Sequence, residues 1–352
     1  MASLTVDLLS NQDDRWEQML ERCPHDVYHS PRYCSVSARE DGGVTQAVLV
    51  QQDAEGLLLP FVRRELPDGL WDGTSPYGYP GPVWTGETDH DRLDEMFHAA
   101  LNRLAEAGCV SLFLRMHPGL NARWPKLTML CVTRRSSSET VYIDLTRSDR
   151  QIWSDTASGH RNEINRAGRH GYSVMLDHEA TYLYDFARLY RANMAGLGAH
   201  PYYYFDDGYF HGIREALGTS LNLVAVLQED NFVGGALFTS CGDWVQYHLS
   251  AADPAHRRAS PAKLVIDAQR RWGQEQGYRW FHLGGGRGGE ADSLFRFKAG
   301  FSSSRLTFRT AGVVLRPRDY ADLVHSREQE DGAQGDHFPA YRASQRETNE
   351  DD

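Results

Sequence analysis

What this sequence lacks narrows it first. Its five cysteines (Cys23, Cys34, Cys109, Cys131 and Cys241) are odd in number and none stands in a C-x-x-C pair. Neither a disulfide framework nor a zinc knuckle is indicated, and a reduced chain is expected. No apolar run approaches the about 18 residues that a membrane-spanning helix needs. The opening stretch Met-Ala-Ser-Leu-Thr-Val-Asp-Leu-Leu-Ser has neither a basic segment nor an apolar one. No secretory signal is therefore expected, and the cytoplasm is the expected location. No His/Cys/Asp/Glu cluster shows metal-ligand spacing, so no metal and no other cofactor is expected.

Net positive charge is also missing: the formal charge is −11 over 352 residues, which taken alone argues against a nucleic-acid partner. The distribution argues the other way. Residues 257–318 hold 13 Lys and Arg against 4 Asp and Glu, a local +9 that leaves −20 for the rest. Such asymmetry fits a phosphate-binding face, or equally a solvated basic surface spread over several elements. Residues 326–352 carry 8 acids against 3 arginines with little apolar periodicity, and read as a disordered acidic tail.

The length fits two domains. Residues 13–22 read as a helix, and Val44–Val50 and Gly56–Arg63 as paired strands. Residues 75–82 form a loop rich in Pro, Gly and Tyr. Residues 91–107 read as a helix, because Leu93, Phe97, Leu101 and Leu104 recur at helical spacing and Gly108 ends the run. Val110–Met116 is then a buried strand. The second half repeats the unit: the amphipathic stretch Ala262–Gln276 stops at Gly277 and enters the strand Tyr278–Leu283. The two glycines lie 169 residues apart, as two copies of one α/β module would place them. The strand Thr140–Leu145 closes the first half. Between it and the second module come a helix or helix pair over 154–170, helices over 186–194 and 203–217, and three antiparallel strands (Leu221–Gln228, Phe232–Ser240, Trp244–Ala251). The crossover helix sets Trp244–Ala251 parallel to Tyr278–Leu283, the order of an acetyltransferase-like (GNAT) core, in which those two strands can splay at their C-terminal ends.

Five glycines fall within six positions from Gly284 to Gly289, broken only by Arg287. Without Cβ atoms their backbone N–H groups can approach a ligand closely. Asp292 and Ser293 are N-cap types and open a short helix carrying Arg296 and Lys298. These parts can hold an anionic or carbonyl group, or serve as a glycine turn before a packing helix. Gly284, Gly286 and Gly289 also satisfy G-x-G-x-x-G. A dinucleotide site needs a full βαβ unit and an acid about 20 positions on, where this chain has Arg305 and Arg309, so that reading fails.

The stretch Leu-Gly-Gly-Gly followed by Asp-Ser-Leu-Phe-Arg-Phe-Lys-Ala-Gly-Phe resembles the C-terminal signature of the Fem-type (FemABX-like) aminoacyltransferases. Ser75–Pro82 resembles that family's first-domain loop, and Arg161–Gly171 its inter-domain helix. The likeness runs from about residue 25 to 315 in three blocks. It implies two GNAT-like α/β domains in tandem, with mixed sheets flanked by helices: a first over 1–147, and a second over 148–325 carrying the acyl-transfer site, before the tail at 326–352. It also implies transfer of an amino acid from aminoacyl-tRNA to an amine or hydroxyl of a small acceptor. A natural-product (antibiotic) intermediate and a peptidoglycan precursor both remain open as acceptor, since no coiled-coil arm interrupts residues 151–320.

By resemblance Lys298 lies at the transfer site, where a fixed cation stabilises an oxyanion or a terminal phosphate. His248 and His282 lie on strands expected to be neighbours and are candidate proton acceptors, or satisfied structural histidines. Arg161, Asn165 and Arg169 are spaced i, i+4, i+8 in one polar stripe, fit for phosphate or paired with Glu163. Tyr77, Tyr79 and Tyr204 are candidates for stacking on substrate or tRNA. Arg257, Arg258, Gly285, Gly286 and Arg296 complete the candidate binding set. An acyl-CoA-dependent GNAT carries R/Q-x-x-G-x-G/A before its crossover helix. Here Arg257-Arg258-Ala259-Ser260-Pro261-Ala262 puts Ser260 in place of the first glycine, and Pro261 lacks an N–H. An acyl-CoA N-acyltransferase and a non-catalytic tRNA- or nucleotide-binding module remain the alternatives.

Overall fold

The structure, a computed structural model, describes residues 3–87, 89–124, 126–127, 133–331 and 337–343. It divides into two compact units: residues 1–137 with 308–352, and residues 138–307.

In the first unit, β1 (Thr5–Ser10) pairs antiparallel with β2 (Val44–Gln52), and β2 with β3 (Glu55–Glu65). β3 pairs antiparallel with β4 (Trp71–Thr74) and with the two-residue β5 (Val83–Trp84). β4 runs parallel to β6 (Cys109–Arg115), and β6 pairs antiparallel with the far end of β13 (Arg305–Val314). Helix α3 (His90–Glu106) crosses between the two parallel strands, burying Leu93, Phe97 and Leu104. Both faces of this sheet are covered, so its strands are apolar throughout rather than alternating. In β2, Val48 and Val50 pack on the α3 side. Ala47 and Leu49 pack on the other side, with Trp16 and Met19 of α1 (Asp14–Leu20) and Cys34 of α2 (Pro31–Glu40).

In the second unit the strand order is β7 (Arg134–Asp144, from Ser138 onward), β12 (Trp280–Gly284), β11 (Trp244–Ala252), β10 (Asn231–Cys241), β9 (Leu221–Gln228) and β8 (Tyr172–Asp177). Only the β11–β12 pair is parallel, joined through helix α8 (Pro261–Glu275). The helices before it are α4 (Asp149–Asp155), α5 (Ser158–Arg169), α6 (Leu183–Gly196) and α7 (Asp207–Leu217), and α9 (Ser293–Ala299) follows β12. Val265 and Ile266 of α8 meet Val224, Phe238, Val245 and Phe281 in one core. The recurrence read in the sequence is therefore a repeated parallel βαβ unit, β4–α3–β6 and β11–α8–β12. Gly108 (φ +92°) and Gly277 (φ +84°) end the two helices in the left-handed region.

Three expectations need correction. The division falls at 137/138 rather than 147/148, because residues 141–144 of β7 pair with β12. The first unit also takes back the chain from Phe308, since β13 is the partner of β6. The segment read as a tail from 326 is structured in part: helix α10 (Pro317–Asp331) runs through it. Further on, the Tyr341 hydroxyl meets the Ser111 hydroxyl at 2.7 Å, and Arg342 pairs with the fully buried Asp72. Composition hid this because a few aromatics, Tyr320, Phe338 and Tyr341, anchor a polar stretch. The remaining residues of that expected tail, 332–336 and 344–352, lie outside the described residues.

Candidate active site

The site is built where β12 ends. Gly284 turns the chain at φ +79°. A Cβ on Gly286 would stand 2.0 Å from the Glu290 carbonyl oxygen and 2.5 Å from Asp292 Oδ1, so only glycine fits there. Asp292 is the N-cap of α9: its Oδ1 accepts from Phe295 N (2.9 Å), and its Oδ2 accepts from Arg287 Nε (3.1 Å). Those hydrogen bonds hold its carboxyl below the usual range against the opposing effect of its desolvation.

This short helix carries Lys298, which is 7% exposed. Its Nζ donates to the Gly285 carbonyl at 2.7 Å and stands 5.8 Å from the Tyr247 ring centre. Burial pushes its pKa down to about 8, and the Asp292 charge offsets part of that shift. Gly285 thus serves through its carbonyl as a tether for Lys298. Arg296 is exposed and donates to the Ala291 carbonyl (3.0 Å).

His248 and His282 do lie on neighbouring strands. The parallel register runs only from Trp244/Trp280 to Gln246/His282, while β11 continues to Ala252 and β12 to Gly284, as splaying strands would. Strand alternation puts Gln246 on the face of β11 opposite Tyr247, while the register slips at His248, with Leu249 opposite Leu237 and Tyr247 opposite Phe238. His248 Nε2 meets the Tyr209 hydroxyl of α7 at 2.8 Å, and His282 Nδ1 meets Gln246 Oε1 at 2.7 Å. Lys298 packs against Tyr247, whereas His248 and His282 are engaged by Tyr209 and Gln246.

A cavity of about 470 Å³ opens at the start of α8. Asn193 of α6, Leu197 just past its end, Pro254, Arg257, Lys263 and Phe297 of α9 contribute to its wall. Ser260 stands at φ +52° and Pro261 occupies the first helical position, so this N-terminus offers one donor fewer than a phosphate seat would. Glu163 Oε2 accepts from both the Ser260 hydroxyl and Lys263 Nζ (2.7 Å for the lysine). Arg257 and Arg258 are exposed, and the Arg258 carbonyl accepts from Arg166 (2.9 Å).

Of the arginine stripe on α5, Arg161 points inward: one of its nitrogens donates to the carbonyls of Trp153, Ser154 and Thr156, closing the end of α4. Asn165 and Arg169 are exposed. Sequence reasoning gave Glu163 to that stripe and missed its partners, which lie 97 and 100 residues away. Tyr204 is 40% exposed and donates to the Met194 carbonyl (3.2 Å).

Tyr77 and Tyr79 belong to the first unit. Their loop is pinned by Tyr33, which donates to the Tyr77 carbonyl (3.0 Å), and by Ser37, which accepts from Tyr77 N (2.8 Å). Tyr79 packs edge-on against Phe308 at 5.1 Å, and burial raises its phenol to about 12. Among the described residues no group of three metal-ligating side chains is present, and no helix is long and apolar enough to cross a membrane.

Residues 154–298 match the acetyltransferase (GNAT) domain family. No curated protein matches the chain. Among solved structures, FemX is similar at 14% identity and a TM-score of 0.67, over 90% of this chain and 99% of that one. The C-terminal domain of a putative lysylphosphatidylglycerol synthetase from Agrobacterium fabrum aligns at 12% identity and a TM-score of 0.53, over 84% of this chain and 90% of that one. L-PGS from Bacillus licheniformis aligns at 12% and 0.52, over 86% and 92%. At such identities the likeness is one of fold: the chain has a GNAT-like α/β fold, with mixed sheets flanked by helices.

Proposed function

We propose that this protein is an acyltransferase that moves an amino acid from aminoacyl-tRNA to an amine or hydroxyl of a small acceptor. The observation that carries the reading is the pairing of a buried lysine on α9, tethered to the Gly285 carbonyl just past β12, with a crossover helix whose N-terminus is already occupied by a carboxylate. A donor ester is activated in advance, so the protein needs to orient a nucleophile and stabilise one developing charge. The acceptor's lone pair attacks the ester carbonyl, and negative charge builds on its oxygen. The bond to the ribose oxygen then breaks, and the proton lost by the acceptor goes to that leaving oxygen. Lys298 is mostly protonated at neutral pH. With one N–H held by Gly285, the other donors of this buried ammonium stabilise the oxyanion. Similarity in fold to FemX and to L-PGS supports this donor class.

The test is incubation with a mixture of labelled aminoacyl-tRNAs and a panel of amine and hydroxyl acceptors. Transfer that is lost in Lys298→Ala supports the reading, and transfer at the wild-type rate in that variant ends the role of Lys298. The second reading, an acyl-CoA N-acyltransferase, is favoured by the family match over residues 154–298. A rise in melting temperature with acetyl-CoA at near-millimolar concentration would support it.

A further inference from the structure

Most cations near an open cavity wait for an anion from solution. At the start of α8 the anion is supplied by the chain itself. Glu163, from α5, brings one carboxylate oxygen to both the Ser260 hydroxyl and Lys263 Nζ. The lysine side chain is 13% exposed and the glutamate 33%. Burial works to raise the Glu163 pKa, but the hydrogen bonds from Lys263 and Ser260 outweigh it and hold the carboxyl below its usual range. Glu163 is therefore ionised at neutral pH. Glu163 stands behind the wall residues Ser260 and Lys263, and the one acid that lines the cavity among the described residues, Asp253, turns its Oδ1 to the amide of Ala255 at 2.8 Å. Arg257 is left as the cation at the wall with no carboxylate on it among the described residues.

The electrostatic consequence is specific. Although Pro261 leaves this N-terminus one backbone donor short, the positive end of the α8 dipole, the Lys263 ammonium and the Ser260 hydroxyl together still attract a multiply charged phosphate group. A single fixed carboxylate already fills that position. A second, doubly or triply charged anion entering the cavity meets Glu163 at close range and finds the lysine engaged. Leu197, Pro254 and Phe297 offer the same ligand apolar wall. We propose that Glu163 is a specificity-determining residue that bars diphosphate-bearing donors, coenzyme A thioesters among them, from this cavity while leaving it open to donors with less charge at that point. The inference deepens the aminoacyl-donor reading and rests on it, since it explains why a GNAT-like crossover would refuse the diphosphate.

The experiment uses the full chain and two probes, coenzyme A and inorganic pyrophosphate, with calorimetric titration of the wild type, Glu163→Gln, Glu163→Ala and the double variant Glu163→Gln/Lys263→Met. Melting temperatures of all four report that they are folded. Two variants at Glu163 separate loss of charge from loss of the side chain. The expected result is no saturable binding by the wild type up to about 1 mM, and a gain on the order of tenfold or more in both single variants, the scale set by removing one unit charge at contact distance. The double variant should lose that gain, because the freed ammonium is its source. Equal behaviour of the wild type and both single variants, whether all bind or none do, overturns the role of Glu163. The donor reading is judged separately, on aminoacyl transfer by the wild type. Transfer without any gain in the variants sinks only this inference, whereas tight wild-type binding of coenzyme A without aminoacyl transfer sinks both.

Discussion

Two buried ionisable side chains set pH behaviour that can be measured. Lys298 falls from 10.5 to about 8 through burial. If its ammonium stabilises the oxyanion, kcat/KM falls as pH rises through about 8, and Lys298→Arg moves that limb out of range because a guanidinium stays charged. Lys298→Ala should lose on the order of 10²–10³ in turnover, with acceptor binding little changed. The same shift bears on stability. Between pH 8 and 10.5 the folded chain binds fewer protons than the unfolded one, so stability rises with pH across that window. Below it the folded state carries a penalty of about 3 kcal/mol for holding the charge inside. Lys298→Met should therefore be more stable than the wild type at pH 7 and lose its advantage by pH 10.5, as read from denaturant midpoints. His29 works at the acid end: full burial and then the neighbouring His117 push it from 6.5 to about 3. Its neutral ring accepts from Asp26 N at 3.0 Å. Stability should drop as pH falls below about 6.5, and His29→Asn should flatten that slope.

At the scale of elements, legibility follows from where the information sits. Helices α3 and α8 were readable because their apolar residues recur at one period and a glycine stops each. Strand β13 was not, since Arg305, Thr307, Arg309 and Thr310 break any apolar run, and its partner β6 lies about 200 residues upstream. Helix α2 was missed for a different reason: Cys34, Ser37 and Ala38 are small inward-facing residues with little apolar signature. Lys298 was found through resemblance, but its burial and its tether to Gly285 depend on how α9 folds back. The C-terminal segment supplies a prediction at this scale. Asp72 is fully buried between Arg64 (2.7 Å) and Arg342. Ending the chain after residue 331 removes Arg342 along with Phe338 and Tyr341, leaving that carboxylate with one partner. The cost should be about 2–4 kcal/mol, read as a lower melting temperature, and Arg342→Ala should reproduce part of it. A truncated chain as stable as the full one would return this segment to the status of a solvated tail.

At the scale of the whole molecule, a net −11 has to be reconciled with the proposed nucleic-acid donor. The reconciliation lies in segregation: residues 257–318 hold +9, and the acid is carried elsewhere. Arg257 and Arg258 stand exposed on the turn that leads into α8, and Arg257 borders the cavity. Such cations act on phosphate by releasing condensed counterions, so donor affinity should fall linearly in log–log form as salt rises. Each phosphate contact removed should lessen the slope by about 0.7 for a single strand. Arg257→Ala and Arg258→Ala are therefore expected to weaken binding of charged tRNA and flatten its salt dependence, with turnover at saturating donor nearly unchanged. Lys298→Ala should do the reverse, losing turnover while the slope stays as in the wild type. The rest of the chain carries −20, which disfavours nucleic acid elsewhere and limits non-specific binding. A wild-type affinity that does not change between 50 and 200 mM salt (roughly the range over which counterion release is pronounced) would remove the basic face from donor docking.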